Sequence, residues 1–178
     1  MLVCLYRWRR TIFCVLFFIE GDLEMNVSIK KIKSDEKEKL ENLLQLYLHD
    51  LSMFFPIVFN SEECIYEYDL SKYFKNDIAY FIKSKKDILG FILVDINSKT
   101  DFEISEIFVL NNYKRKNVGE KAVIKVFDKY KGNWVVKAVP SSPVAESFWK
   151  KVINKYTKGN YTLEYTGKYN RAEFYFKN

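Results

Sequence analysis

EISEIFVLNNYKRKNVGEKAV, residues Glu103 to Val123, runs from an apolar strand through a basic turn into a helix. The strand covers residues 102–110, where Ile, Phe and Val alternate with two Glu. The turn, residues 111–117, carries Lys114, Arg115 and Lys116. The helix opens at Val118 and Gly119 and continues through Ala122, Val123, Val126, Phe127 and Tyr130. A turn of this kind aims several free backbone N–H groups and a positive helix end at one point in space. That arrangement holds a phosphate without using side chains. Lys and Asn are also ordinary residues of a solvated turn, so the rest of the chain must decide.

At 178 residues the chain is long enough for one domain with a real core. Its composition is that of a globular protein, 48% hydrophobic and 29% charged. The net charge is +6, and none of the excess comes from residues 1–24, where three Arg balance three acidic residues. Residues 111–131 hold seven Lys or Arg against Glu120 and Asp128, which suits an anionic ligand or nucleic acid. Three Cys at 4, 14 and 64 fit no metal or disulfide framework and point to a reducing, cytoplasmic setting. His49 is the single histidine, so a His-rich zinc site is excluded, no metal is expected, and any catalytic triad would have to use it. Its place between Leu48 and Asp50 on a helix suggests a surface role.

Residues 1–24 differ in character from the remainder of the chain. Arg7, Arg9 and Arg10 precede an apolar run at 12–19, as in a signal peptide. Eight residues fall far short of the ~20 that span a membrane, and no small-x-small cleavage site comes after them. The segment reads as an upstream extension, from a misplaced start or serving as a weak surface anchor, without stable membrane insertion. Residues 25–178 read as the functional domain.

Within that domain, residues 27–33 alternate as a first strand. Asp35 and Glu38 suggest a capping box before a helix whose Leu40, Leu43, Leu44, Tyr47, Leu48 and Leu51 share one face. Residues 57–76 read as irregular, with short helical turns near Tyr73. Strands at 78–83 and 88–96 come next, with Gly90 marking a bulge or close backbone approach. With the strand at 102–110 they make an antiparallel meander. After the helix at 118–130 come a strand at 133–139, a helix through Phe148 and Trp149, and two last strands near 161–165 and 172–176. The order implies an α/β (α+β) fold: a mixed, mostly antiparallel sheet of about seven strands, with helices on both faces.

This order, together with two motifs, resembles the GNAT superfamily of acyltransferases. That family's turn reads Arg/Gln-x-x-Gly-x-Gly/Ala after its fourth strand, and Lys114-Arg115-Lys116-Asn117-Val118-Gly119 is similar to it. Asn117 replaces the first glycine, and Asn is the non-glycine residue that best tolerates a left-handed conformation. The family's Asn-x-x-Ala-x-x-Phe-Tyr/Trp is matched by residues 142–149, with Ser142 in place of Asn. The resemblance covers residues 25 to about 160, and FWKKVINKYTKGNYT further resembles a bacterial subgroup of acetyltransferases. It implies acetyl-coenzyme A as donor, with pantetheine beside Ile107, Phe108 and Val109. It implies the pyrophosphate on the amides between Arg115 and Gly119, flanked by Lys114, Arg115 and Lys116 and reaching Glu120. Ser142 and Trp149 complete the positions assigned to the cofactor. The oligomeric state stays open, a dimer included.

Acyl transfer to an amine needs a neutral amine, a donor for the developing oxyanion, and a stabilised or protonated thiolate. With one His, carboxylates and tyrosines must do the acid–base work. Glu103 and Glu106 stand three apart on the strand and should face opposite sides, so at most one serves the cleft. Glu106 is the expected general base, and a backbone N–H near Val109 the expected oxyanion donor. The resemblance suggests a tyrosine as leaving-group acid, but Trp149 stands at the matching position. The acidic, aromatic residues 62–69 suit a small-molecule, cationic amine acceptor. Two other readings are a coenzyme A-binding protein without catalysis and a nucleic-acid-binding domain. The second is weakened because only Tyr113 and Phe127 lie near the basic turn, and no nucleic acid is expected.

Overall fold

The computed structural model describes residues 6–8, 11–13, 25–54, 56–75 and 78–178. Of the extension, the antiparallel pairing of β1 (Tyr6–Trp8) with β2 (Thr11–Phe13) is described; most of the apolar run at 12–19 lies outside the described residues. The domain then opens with β3 (Ser28–Lys31), α1 (Lys37–Leu51), β4 (Phe59–Asn60), β5 (Ile65–Tyr66) and α2 (Ser71–Lys75). It continues through β6 (Ala79–Ser84), β7 (Asp87–Ile96), β8 (Asp101–Val109), α3 (Val118–Lys129), β9 (Asn133–Lys137), α4 (Pro143–Thr157), β10 (Thr162–Thr166) and β11 (Arg171–Lys177). Seven strands form one sheet in the order β10-β11-β9-β8-β7-β6-β3. All neighbours are antiparallel except β8 and β9, which α3 joins by a parallel crossover.

Each face of the sheet has its own apolar layer. On one face α3 and α4 pack Val123, Val126, Phe127, Val152 and Ile153 against Ile92, Ile104, Trp134 and Phe174. On the other, α1 and α2 pack Leu40, Leu44, Leu48 and Tyr73 against Phe81, Phe91, Leu93 and Phe108. The leucine face of α1 was legible because its spacing of three and four matches the helical period. Each such Leu contributes about 1.5–3 kcal/mol when fully buried. The chain leaves α1 at Ser52, whose N–H still donates to Leu48 O at 2.9 Å, and Pro56 lies just beyond.

Three local expectations are corrected. The capping contact before α1 is not made by Asp35 and Glu38. Instead Lys33 N–H donates to Glu36 Oε2 at 3.4 Å, and a 3-10 turn at Ser34–Glu36 leads in. Residues 57–70, read as irregular, hold the β4–β5 pair, while α2 stands where a helical turn near Tyr73 was expected. Gln45 of α1 fixes β5, accepting from Tyr66 N at 2.7 Å and donating to Tyr66 O at 3.0 Å. The third correction is the side-chain parity of β8, which a bulge at Ser105 reverses. Gly90 does mark a close approach, since a Cβ there would stand 1.9 Å from Phe108 O.

A chain beginning at Met25 is expected to remain folded, because the seven-stranded sheet starts at Ser28 and, among the described residues, both apolar layers are built from Met25 onward. A thermal melt followed by circular dichroism checks this. Loss of a cooperative transition would mean that the extension contributes to the core.

Candidate active site

The opening in the sheet starts at a β-bulge. Along β7, Leu93 pairs with Glu106 but Val94 pairs with Ile104, so Ser105 is an extra residue on β8. Before the bulge, Phe102 and Ile104 pack into the α3–α4 layer; after it, Phe108 packs into the α1–α2 layer, and Ile107 and Val109 turn to the α3–α4 side. Parity along β8 has flipped. Glu103 and Glu106 therefore share the α1 face, contrary to the expectation from an unbroken strand. Glu103 is engaged elsewhere, its carboxylate 2.9 Å from Lys137 Nζ.

Pairing between β8 and β9 stops where the bulge begins. Register runs from Asp101 with Asn133 to Ile104 with Val136, while β8 continues five residues to Val109. Beyond that point the β9 segment turns to β11, with Ala138 N–H donating to Ala172 O at 2.9 Å. The β8 edge at residues 105–109 thus faces a wedge between two parted strands, with backbone groups that no strand there uses. Ser105 Oγ, in the same place, is the buried side-chain polar atom without a hydrogen-bond partner among the described residues.

Glu106 sits at the head of this wedge, partly buried, and two segments converge on it. Tyr47 Oη, from α1, donates to Oε2. Tyr68 Oη, from the segment between β5 and α2, donates to Oε1 at 3.0 Å. Tyr68 Oη also lies 3.3 Å from Tyr73 Oη of α2. Burial pushes the Glu106 carboxyl above its ordinary value; the two phenol donors and the Lys72 charge pull against it without cancelling it. The same burial, reinforced by the Glu106 charge, pushes both Tyr47 and Tyr68 up, so these phenols stay protonated donors. A carboxylate of raised pKa at an opening in a sheet is a general-base arrangement.

The basic turn comes directly after β8. Asn117 has φ 57° and ψ 15°, the left-handed conformation that its replacement of glycine requires, and Arg115 has φ 63°. Lys114 N–H donates to Asn111 O at 3.3 Å and Lys121 N–H to Asn117 O at 3.0 Å; the amides of residues 115–119 have no partner among the described residues. Gly119, in the first turn of α3, packs so closely that an added Cβ would meet Phe148 Cζ at 3.3 Å and Val109 Cγ2 at 3.6 Å. Glycine lets the start of α3 close onto β8 and α4. Lys114 Nζ is 3.3 Å from Asp50 Oδ2 in an exposed pair of little energetic weight. The side chains of Arg115 and Lys116 are exposed.

The remaining candidates divide. Ile107 and Val109 line the α3–α4 side, whereas the Phe108 ring is buried against Tyr47 and Phe91, so only its backbone serves the wedge. Val118 is a core residue. Glu120, a residue 7% exposed, has its carboxylate held by Lys155 at 2.5 Å and Lys151 at 3.1 Å, so its charge ties α3 to α4 instead of meeting the turn. Ser142 caps α4, its Oγ accepting from Ala145 N–H at 3.3 Å, and lines a cavity of about 350 Å³ with Val139, Glu146, Tyr165 and Arg171. Trp149 is a core side chain against Phe148. In the acidic stretch, Glu62, Glu63 and Glu67 are exposed, and Tyr66 packs on Phe59 and beside His49, which is itself exposed.

Sequence reading missed Tyr47 and Tyr68 as partners of Glu106. Tyr47 fits the leucine stripe of α1 and reads as core. Its signal was the hydroxyl: a buried Tyr must find a hydrogen-bond partner.

The sequence profile of the acetyltransferase (GNAT) family matches residues 40–153, and the chain belongs to that family. It is therefore an acetyltransferase. No curated protein matches the chain. Among solved structures, an acetyltransferase from Thermus thermophilus superposes with a TM-score of 0.63 at 10% identity, covering 87% of this chain and 99% of that one. The PaiA N-acetyltransferase of Thermoplasma acidophilum, solved in complex with coenzyme A, gives 0.57 at 13% identity, covering 86% and 100%. Diaminobutyrate acetyltransferase EctA of Paenibacillus lautus, solved with L-2,4-diaminobutyric acid and coenzyme A, also gives 0.57 at 13% identity, covering 86% and 95%. At these identities the likeness is one of fold. Among the described residues no helix is long and apolar enough to cross a membrane, and no group of three or more His, Cys, Asp or Glu could hold a metal ion.

Proposed function

We propose that this acetyltransferase uses acetyl-coenzyme A as donor and a primary amine of a small, cationic molecule as acceptor, with Glu106 as general base and direct attack of the amine on the thioester. The observation that carries the reading is the Glu106 carboxylate, partly buried and of raised pKa, at the point where β8 and β9 part. The residues present fit the donor. The unpartnered amides at 115–119, at the positive end of α3, suit a pyrophosphate, and exposed Arg115 and Lys116 add charge. The free β8 edge at 105–109 suits an amide-bearing arm such as pantetheine. When bound, the donor supplies an acetyl group activated as a thioester.

The chain's own residues do the rest. Glu106 accepts the proton of the amine, which reacts only when neutral. An amide of the free β8 edge, near Val109, stabilises charge developing on the carbonyl oxygen. Exposed Glu62, Glu63 and Glu67 favour a cationic acceptor electrostatically. EctA, of similar fold, was solved with a diamine-containing amino acid, which supports an amine of that kind.

Incubation with acetyl-coenzyme A and a panel of mono- and diamines, read by mass spectrometry, tests the reading. An added acetyl mass on a primary amine, abolished by blocking the amine, is expected. Acetylation confined to hydroxyl or thiol acceptors would overturn the amine assignment.

A further inference from the structure

We propose that Tyr47 and Tyr68 are positioning residues that clamp the Glu106 carboxylate, one on each oxygen, and hold it ionised and aimed for proton transfer. This rests on the reading of Glu106 as the general base. The geometry is specific. Tyr47 reaches Oε2 from α1, and Tyr68 reaches Oε1 at 3.0 Å from the segment before α2. Rotating the carboxylate would break both bonds at once, so the pair fixes its plane. The clamp is itself held. The Tyr47 ring packs edge-on to Phe91 at 5.8 Å and against Phe108 at 5.9 Å. Tyr68 Oη is backed by Tyr73 Oη at 3.3 Å, and Tyr73 is 1% exposed.

The charges around the site come from two elements. Lys72, on α2, favours the ionised carboxylate; Asp95, on β7, disfavours it, and the two form an ion pair at 2.8 Å. Tyr73 on α2 faces the Tyr68 phenol, and Leu93 pairs with Glu106 from β7. Against this background the phenols are the direct donors to the carboxylate, and hydrogen bonds to a charged group are the strong ones. They favour the ionised form because an anionic carboxylate accepts both bonds better than a neutral acid does. In the step they serve, an N–H bond of the amine breaks and its proton goes to a Glu106 oxygen. The nitrogen keeps the electron pair, and Glu106 becomes a neutral carboxyl.

Tyr47→Phe and Tyr68→Phe each remove one hydroxyl and keep the ring. Titrating protein labelled with ¹³C at the glutamate carboxyls, with Glu106 assigned by its absence in Glu106→Gln, reads the carboxyl directly and needs no acceptor. Each Tyr→Phe variant should raise the Glu106 titration by about one pH unit. Their melting transitions should remain cooperative. A purely structural role would lower the melt and leave the titration where it is in the wild type; an unmoved titration in both variants overturns the proposal. The catalytic reading fails separately: if Glu106→Gln still acetylates the amine panel at the wild-type rate, Glu106 is no base, and the clamp has no catalytic purpose whatever the titration shows.

Discussion

Replacing Glu106 by Gln is expected to lower turnover by about 10²–10⁴-fold, the usual cost of losing a general base. Gln keeps the size of the side chain and an oxygen to accept from one phenol, so the effect should be on chemistry rather than folding. Coenzyme A affinity should change little, because the amides proposed to bind it belong to the turn at 115–119. The pH dependence follows from the sign of the shift. Burial raises the carboxyl above 4.5, and Glu106 is a base only when ionised. Wild-type activity should therefore fall as pH drops through the raised value, at a higher pH than an exposed Glu would give. That acid limb should disappear in the variant. A kcat that Glu106→Gln leaves unchanged between about pH 6 and 9 would remove Glu106 from the mechanism.

The second large effect concerns the turn. Coenzyme A should raise the melting temperature, because a ligand bound only to the folded state stabilises it, by about 2.7 kcal/mol at 100 times its Kd. Single-stranded DNA of matched charge should hardly move it. Gly119→Asp should abolish the shift for two reasons. Its Cβ must push into Phe148, 3.3 Å away, and its carboxylate would stand at the helix end proposed to meet the phosphates. Gly119→Ala separates the two: it brings the same steric contact without the charge, and should lose only part of the shift. Lys114→Ala should weaken binding modestly, since that side chain is nearly half exposed and already shared with Asp50.

The sheet and its helices were readable because each element carries its own period. The leucines of α1 repeat at three and four, and the meander strands are apolar runs cut by short polar turns. Asn117 was readable too, since a left-handed turn position narrows the choice to Gly or Asn. The bulge at Ser105 was not. One extra residue leaves no mark in composition, yet it moves Glu106 to the same face as Glu103 and Tyr47. The partners of Glu106 were hidden for a different reason. Tyr47 and Tyr68 lie 59 and 38 residues away in sequence, and only the packing of α1 and the β5–α2 segment onto β8 brings them together. The roles of Glu120 and Trp149 show the same limit. The first sits beside the turn motif and the second inside the other motif, but α3–α4 packing directs both side chains to structural contacts.

Titration calorimetry of the well-folded wild-type protein with coenzyme A tests the donor assignment most directly. Saturable, one-site binding is expected, with the heat lost in Gly119→Asp and kept in Glu106→Gln. Absence of any binding heat at millimolar coenzyme A, together with an unmoved melting temperature, would contradict the account.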